Sequence, residues 1–216
     1  MELPLFPLST VLFPGMTLPI DVFEKRYLLM IRRCLEQKRP FGVVLIKRGS
    51  EEGEPPTPFA VGTIASIAHV EQLPEERMNV VVLGQKRFHI DQLVQRRPYL
   101  VGRVEPLTSY VRDQMAARQL ADTIAALFAE YYRLHLAISN QWARRIGVPG
   151  DADNLSDFVA SRLSVETRIK QKLLETLSVV RRLEREEEIL GQEIRELSLR
   201  LKAIQRQKYT SLGVVN

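Results

Sequence analysis

The chain has 216 residues, of which 45% are hydrophobic and 26% are charged, a balance typical of globular proteins that excludes fibrous and intrinsically disordered chains. Its single cysteine, Cys34, excludes a disulfide within the chain and favours a reducing compartment such as the cytoplasm. The net charge of +5 permits binding to nucleic acid, but the basic pairs are spread along the chain and carboxylates lie near several of them. Solvated basic faces are therefore favoured over a nucleic-acid interface.

The apolar residues never form a run of about 18, the length that hides a helical backbone in a bilayer. The first seven residues have no basic segment and contain two prolines, which is not the pattern of a signal peptide. We therefore expect no contact with a membrane and a cytoplasmic location.

Seven short apolar runs in the first half of the chain predict β-strands. They are rich in Val, Ile and Phe and are separated by Pro and Gly, which favour turns. Gly84 separates two of these strands and is predicted to turn a hairpin, because glycine accepts positive φ. Seven strands favour a barrel or a compact sandwich, and they cover residues 3–8, 17–22, 41–47, 60–72, 78–83, 85–94 and 99–106.

One helix is predicted within this half, over about residues 23–37, because apolar residues recur there every three or four positions. Cys34 falls on the apolar stripe and is interpreted as a core residue, since no basic partner that would activate a thiolate is evident. The stretch 49–58, rich in Glu, Gly and Pro, predicts an exposed loop.

Helical periodicity dominates from residue 109 onward. One amphipathic stripe is followed by a short helix and then by two more, for which Ser164 and Ser178 are the predicted N-caps. Leucine and isoleucine recur at coiled-coil spacing from Leu183 to Ile204, so the long final helix packs within the chain or pairs two chains in a homodimer. The predicted domains are a β-rich lobe over 1–107, a helical bundle over 108–208 and a flexible tail over 209–216.

The sequence lacks the motifs that commonly bind nucleotides or metal ions. It has no Gly-x-x-x-x-Gly-Lys-Ser/Thr run to hold phosphates, and its three histidines stand singly without Cys-x-x-Cys partners. His89 and Asp91 share one face of a predicted strand, but no Gly-x-Ser-x-Gly elbow supplies a nucleophile. We predict a protein that is not an enzyme, with no catalytic residue, no cofactor and no metal ligand.

Several blocks of residues match a known family in their order and spacing. The first three are residues 3–8, 11–15 and 23–27, and the blocks continue through 41–44, 61–65, 80–88, 157–160, 170–176 and 182–184. Over nearly the whole chain these blocks resemble the N-terminal, substrate-binding domain of Lon proteases. The chain ends shortly after the long helix, where a Lon protease would continue into its ATPase domain, so we expect a stand-alone form without the ATPase and peptidase parts.

The resemblance implies an α+β fold, with a β-rich, PUA-like pseudo-barrel lobe that contains one helix and a C-terminal helical bundle that ends in a long helix. It also implies a protein-recognition module, and we expect Phe23, Glu24, Arg26 and Tyr27 to bind unfolded or extended polypeptide. The same four residues would also serve as a helix start and part of the core. An adaptor or assembly partner of a protease complex, and a PUA-like module that binds nucleic acid, remain as alternatives.

Overall fold

The structure is a computed structural model that describes residues 1–51, 53–141 and 147–212. Its α+β character confirms the predicted fold class. Among the described residues, none of the helices combines the length and apolar character that crossing a bilayer requires. The elements are β1 (Glu2–Leu8), β2 (Thr17–Val22), α1 (Lys25–Glu36), β3 (Phe41–Arg48), β4 (Thr57–Gln72), β5 (Met78–Gln95), β6 (Leu100–Leu107), α2 (Gln114–Ile138), α3 (Ala152–Arg162), α4 (Thr167–Glu175) and α5 (Val179–Leu212).

Five of the strands close into a barrel. They are neighbours in the order β5, β4, β3, β1 and β6, and β6 pairs again with β5 to complete the ring. The β1–β3 pair is parallel and the other pairs are antiparallel. β2 pairs with the first part of β5 and extends the sheet beyond the barrel. Closure is the arrangement that the pseudo-barrel prediction requires.

The barrel interior is filled around Phe88. A Cβ atom on Gly42 or Gly62 would lie 2.6 or 2.8 Å from the Phe88 ring, so only glycine leaves the space that this ring fills. The buried cluster formed in this way is apolar throughout and comprises Leu3, Leu5, Val44, Ile64, Phe88, Ile90, Leu100 and Val104.

β5 is one continuous strand across Gly84, so the predicted hairpin at this position is wrong and six strands replace the predicted seven. The Gly84 N–H donates to the Met16 carbonyl, and the Gly84 carbonyl accepts from the Gly15 N–H, both at 2.9 Å. A Cβ on Gly84 would lie only 2.2 Å from the Phe13 carbonyl oxygen. The missing side chain thus permits a close approach of two backbones, a need that sequence alone does not distinguish from a turn.

α1 covers one face of the sheet. Its buried residues include Tyr27, Met30 and Cys34, which join an apolar cluster with residues of β1, β2, β3, β4 and β5. Cys34 is 1% exposed, which confirms its interpretation as a core residue. The loop predicted over 49–58 is shorter in the structure, because β3 ends at Arg48 and β4 begins at Thr57; Glu52 lies outside the described residues.

The contacts between Cα atoms divide the chain into two compact units. Unit 1 comprises residues 1–110 and 160–177, and unit 2 comprises 111–159 and 178–216. The strands, α1 and α4 therefore belong to unit 1, whereas a division at residue 107 would have placed α4 with the bundle. The predicted domain bounds stay a prediction.

α4 is fixed to the strands of unit 1 by two buried polar side chains. The Arg87 Nε–H donates to the Leu174 carbonyl at 2.9 Å, near the end of α4, and the Gln171 Nε2 donates to the Val61 carbonyl at 3.0 Å. The prediction that Ser164 caps this helix is wrong. α4 begins at Thr167, so its N-cap is Glu166, and the Glu166 side chain makes no capping hydrogen bond.

In unit 2, α5 packs against α2 and buries the first part of its apolar stripe. Leu183 and Leu190 are fully buried, whereas Leu199 is 67% exposed. At the start of α5 the Arg181 N–H donates to the Ser178 hydroxyl at 3.5 Å, in agreement with the predicted N-cap.

The flexible tail was predicted to begin at residue 209, whereas α5 continues to Leu212. Residues 213–216 lie outside the described residues. The homodimer alternative stays a prediction.

Candidate functional site

The four residues predicted to bind polypeptide lie where β2 leads into α1. β2 ends at Val22 and α1 begins at Lys25, so Phe23 and Glu24 form the short connection. Phe23 is 50% exposed, whereas Val22 before it and Tyr27 after it are buried. Phe23 is therefore the member of the group that offers apolar area to a partner.

Arg26 links the start of α1 to the loop between β3 and β4. Its Nη2 atom lies 2.9 Å from a Glu24 carboxylate oxygen and donates to the Glu51 carbonyl at 2.9 Å. Its guanidinium carbon lies 4.6 Å from the centre of the Tyr27 ring, a cation–π distance. The Nε–H of Arg26 is buried and has no hydrogen-bond partner among the described residues.

Tyr27 supports Arg26 from the core. The side chain is 4% exposed and its ring stacks on Phe6, with centroids 4.3 Å apart. Burial raises the pKa of the Tyr27 hydroxyl from 10.0 to about 12, because the phenolate would lose its hydration. Tyr27 is thus neutral under ordinary conditions, and its ring supports the Arg26 guanidinium.

A pocket of about 720 Å³ opens beside this group, on the side of Arg26. One wall is the loop after β3, and the other is the turn between β5 and β6, where Arg97 lies 3.4 Å from Glu54. Both charged side chains are exposed, and both walls carry proline, so the pocket offers apolar rings between charged groups. Its lining residues are Arg26, Gly53, Glu54, Pro55, Arg97 and Pro98. The structure thus brings Arg26 and the loop residues together, and Tyr27 lies beneath them.

A second groove, of about 400 Å³, lies at the other end of α1 and was not predicted from the sequence. It runs between the last turn of the helix and the middle of β4. The residue types gave no signal, because Leu35 and Ile67 read as ordinary core positions and only their packing leaves them at a surface. Its lining residues are Cys34, Leu35, Lys38, Arg39, Pro40, Ser66, Ile67 and Gln85.

The residues considered for chemistry are placed as follows. The His89 Nδ1 atom lies 3.1 Å from an Asp91 carboxylate oxygen on the exposed face of β5. Burial raises the pKa of the Cys34 thiol, which keeps it protonated and unreactive. Burial also lowers the pKa of Lys170, whose ammonium group donates to the Ser161 carbonyl at 3.0 Å. In the described part of the chain, no cluster of His, Cys, Asp or Glu could hold a metal ion.

Comparison with known proteins shows where such a fold occurs. The sequence model described as the ATP-dependent protease La (LON) substrate-binding domain matches residues 2–192. The chain is 30% identical over 203 residues to a Lon protease of Anaeromyxobacter dehalogenans, an alignment that covers 91% of this chain and 24% of that protein. It is also 30% identical to Lon protease 2 of Herpetosiphon aurantiacus, over 92% of this chain and 25% of that protein. The chain thus spans about a quarter of the length of these relatives.

Solved structures agree in fold. The Lon N-terminal domain protein from Xanthomonas campestris superposes with a TM-score of 0.61 at 27% identity, over 85% of this chain and 95% of that one. The N-terminal domain of a Mycobacterium avium complex Lon protease superposes with a TM-score of 0.60 at 20% identity, over 88% and 98% of the two chains, and shows the fold alone. With its barrel, its helices and the match over residues 2–192, the chain belongs to the family of Lon substrate-binding domains.

Proposed function

We propose that this chain is a non-catalytic protein-recognition module that binds unfolded or extended polypeptide at the start of α1. The observation that carries the proposal is the half-exposed Phe23, which precedes Arg26, a lining residue of the charged pocket, in the same segment of chain. In this arrangement Phe23 contacts an apolar side chain of the bound segment, and Glu24 and Arg26 meet its backbone or charges. Tyr27 holds Arg26 in place from the core.

The exposed charges of the pocket add to this proposal. An extended segment exposes backbone N–H and carbonyl groups that a folded protein uses in its own secondary structure. In the pocket, these groups would bond to the exposed side chains of Glu54 and Arg97. This favours unfolded chains over the same proteins in their folded state. We further propose that the chain acts in the cytoplasm and neither hydrolyses ATP nor cleaves peptide bonds.

Fluorescence anisotropy tests this proposal, with a labelled, permanently unfolded polypeptide titrated against the chain at low and high salt. We expect binding that survives high salt, because apolar contacts are screened little. Phe23→Ala should weaken it at least about 30-fold, as loss of a hot-spot residue does. Leu199→Ala is the control, since Leu199 is also an exposed apolar residue but lies in unit 2.

A labelled DNA or RNA oligomer is titrated in parallel. Binding to the oligomer alone, with an affinity that falls steeply as salt rises, would overturn the proposal in favour of a nucleic-acid-binding module. Equal effects of Phe23→Ala and Leu199→Ala on affinity would show that the polypeptide does not bind at the start of α1.

A further inference from the structure

We propose that the edge of β4 over residues 66–72 is a second polypeptide-binding surface. An extended segment would add a strand to this edge and place an apolar and an acidic side chain in the groove beside α1. The inference rests on the proposed function, because it assumes that the chain recognises polypeptide, and it names a further site and the chemical class of segment that fits it.

The edge is left unpaired by the end of β3. The last β3–β4 pair joins Phe41 and Ala65, and Pro40, which precedes Phe41, has no N–H to continue the ladder. β4 itself continues, and it stays paired with β5 up to the pair between Gln72 and Met78. Over residues 66–72 its other side therefore has no strand partner in the part of the chain that the structure describes. Seven residues of strand offer about 23 Å of backbone donors and acceptors.

The groove of about 400 Å³ lies along the start of this edge. Ser66 and Ile67 of the strand line one side, and Cys34, Leu35 and Lys38 at the end of the helix line the other. A segment in the groove would thus have a strand edge on one side and a helix on the other. Extended peptides bind in this way when they add a strand: the backbone bonds supply affinity and side-chain pockets supply selectivity.

The lining of the groove indicates which side chains fit. Leu35 is 39% exposed and Ile67 is half-buried, so the floor is apolar. Lys38 and Arg39 stand on its rim, and no carboxylate is among the lining residues. The groove therefore complements a segment that carries an apolar residue close to an acidic one.

The position of the rim cations is set by the end of α1. The Lys38 N–H donates to the Leu35 carbonyl at 3.2 Å and the Arg39 N–H donates to the Cys34 carbonyl at 3.0 Å, the pattern of a Schellman C-cap. Lys38 adopts a φ of 50° at the position that glycine usually occupies. The Arg39 guanidinium donates to the Glu2 carbonyl at 2.9 Å, whereas the Lys38 ammonium has no ion-pair partner among the described residues. Lys38 is thus the cation best placed to meet an acidic side chain.

The irregularity of the edge limits how much of it pairs. A register shift between Ile67 and His69 interrupts the β4–β5 ladder, and such bulges turn an edge away from continuous pairing. The segment must therefore gain affinity from the groove as well as from backbone bonds. This predicts selectivity for the side chains that enter the groove.

The probe is a short peptide in which valine and aspartate occupy successive i and i+2 positions with threonine between them, so that one face of the added strand carries both. Its ends are acetylated and amidated so that they carry no charge, and lysine replaces aspartate in a matched peptide. We expect the aspartate peptide to bind the full chain and to slow amide hydrogen exchange over residues 66–72. Lys38→Glu should weaken this binding at least about 10-fold and reverse the preference between the two peptides, because it inverts the charge at the rim. Lys202→Glu, on the exposed surface of α5, is the control for net charge.

Circular dichroism checks that Lys38→Glu folds. If that variant does not fold, Lys38→Gln, which removes the charge without inverting it, is tested in its place. Unchanged binding in these variants, or protection from exchange outside residues 66–72, would overturn the inference. Phe23→Ala separates this result from the proposed function. If unfolded polypeptide still binds through Phe23 while the β4 edge gains no protection, only the second site is lost; if no polypeptide binds anywhere, the proposed function fails as well.

Discussion

The two units each bury an arginine, and its contacts differ between them. In unit 1, Arg87 is 3% exposed and donates to a backbone carbonyl at the end of α4. In unit 2, Arg182 is fully buried and contacts the carboxylates of Asp153 and Asp157, of which Asp157 is itself buried. The contact of Arg87 completes the hydrogen bonding of a helix end, whereas Arg182 balances a carboxylate that has lost its hydration. Equal burial of one residue type can therefore have very different energetic weight.

The setting of Arg182 is a network of side chains from α3 and α5. Its Nε–H donates to the Ser156 hydroxyl at 2.6 Å, and that hydroxyl donates to a Glu186 carboxylate oxygen at 2.7 Å. Ser156 and Glu186 are both fully buried. Removal of the cation would leave buried carboxylates with no charge to balance them, which costs more than a lost hydrogen bond.

The largest expected effect follows from Arg182→Met, which keeps an unbranched apolar stem but removes the guanidinium and its charge. We expect a loss of about 3–5 kcal/mol in the free energy of unfolding, measured by denaturant titration. Hydrogen exchange should accelerate in unit 2 more than in the barrel strands, because the network lies within unit 2. A loss below about 1 kcal/mol would contradict the expected energetic weight of this network.

The second effect concerns a buried group in unit 1 that has no charge at neutral pH. The Tyr27 pKa is raised from 10.0 to about 12, so the folded chain holds this proton more tightly than the unfolded chain does. The resulting stability is fully present below pH 10 and is lost as the pH rises from about 10 to 12, because the unfolded state ionises first. Each pKa unit corresponds to 1.36 kcal/mol, so we expect a decrease of about 2.7 kcal/mol over this range.

Tyr27→Phe should lack this part of the pH dependence, which unfolding titrations between pH 9 and 12 would measure. Tyr110→Phe is the matched control, because Tyr110 is 43% exposed. If both variants kept the full decrease of the parent chain, its origin would lie in other groups and the burial of Tyr27 would carry no such penalty.

The smallest effect is expected for Arg87→Met in unit 1. This change leaves the Leu174 carbonyl without its buried donor, and a hydrogen bond from a charged group contributes about 1.5–3 kcal/mol. We expect a loss of about 2 kcal/mol in the free energy of unfolding and faster amide exchange in α4. A loss of stability as large as that caused by Arg182→Met would contradict the expectation that the two buried arginines differ in energetic weight.

Much of the fold could be predicted from local patterns. The strand from residue 17 to 22 and the apolar stripe of α1 were both located correctly, since alternation and helical periodicity directly encode which face is buried. Gly84 and Ser164 were misread for a different reason. Glycine permits both a turn and a close backbone approach, and serine near a helix start is a cap only if the helix begins there, so the decision depends on partners distant in sequence.

The candidate site, like the fold, was predicted only in part. Sequence placed Phe23, Glu24 and Arg26 together at a helix start, but not the contact of Arg26 with the Glu51 carbonyl, 25 residues away. The groove beside β4 was missed altogether, because it arises where β3 stops pairing and leaves Leu35 and Ile67 at a surface. The residue at which two strands stop pairing depends on how the strands are arranged in the sheet, and residue types carry little information about that arrangement.

By itself, the sequence determined most of the secondary structure, the α+β class and the family, because these follow from periodicity and from the order of its motifs. Only the tertiary structure decided the closure of the barrel, the attachment of α4 to the strands of unit 1 and the two settings of buried arginine. The physical reason is that burial and hydrogen-bond satisfaction are properties of pairs of residues brought together by the fold, and no single position in the chain encodes them.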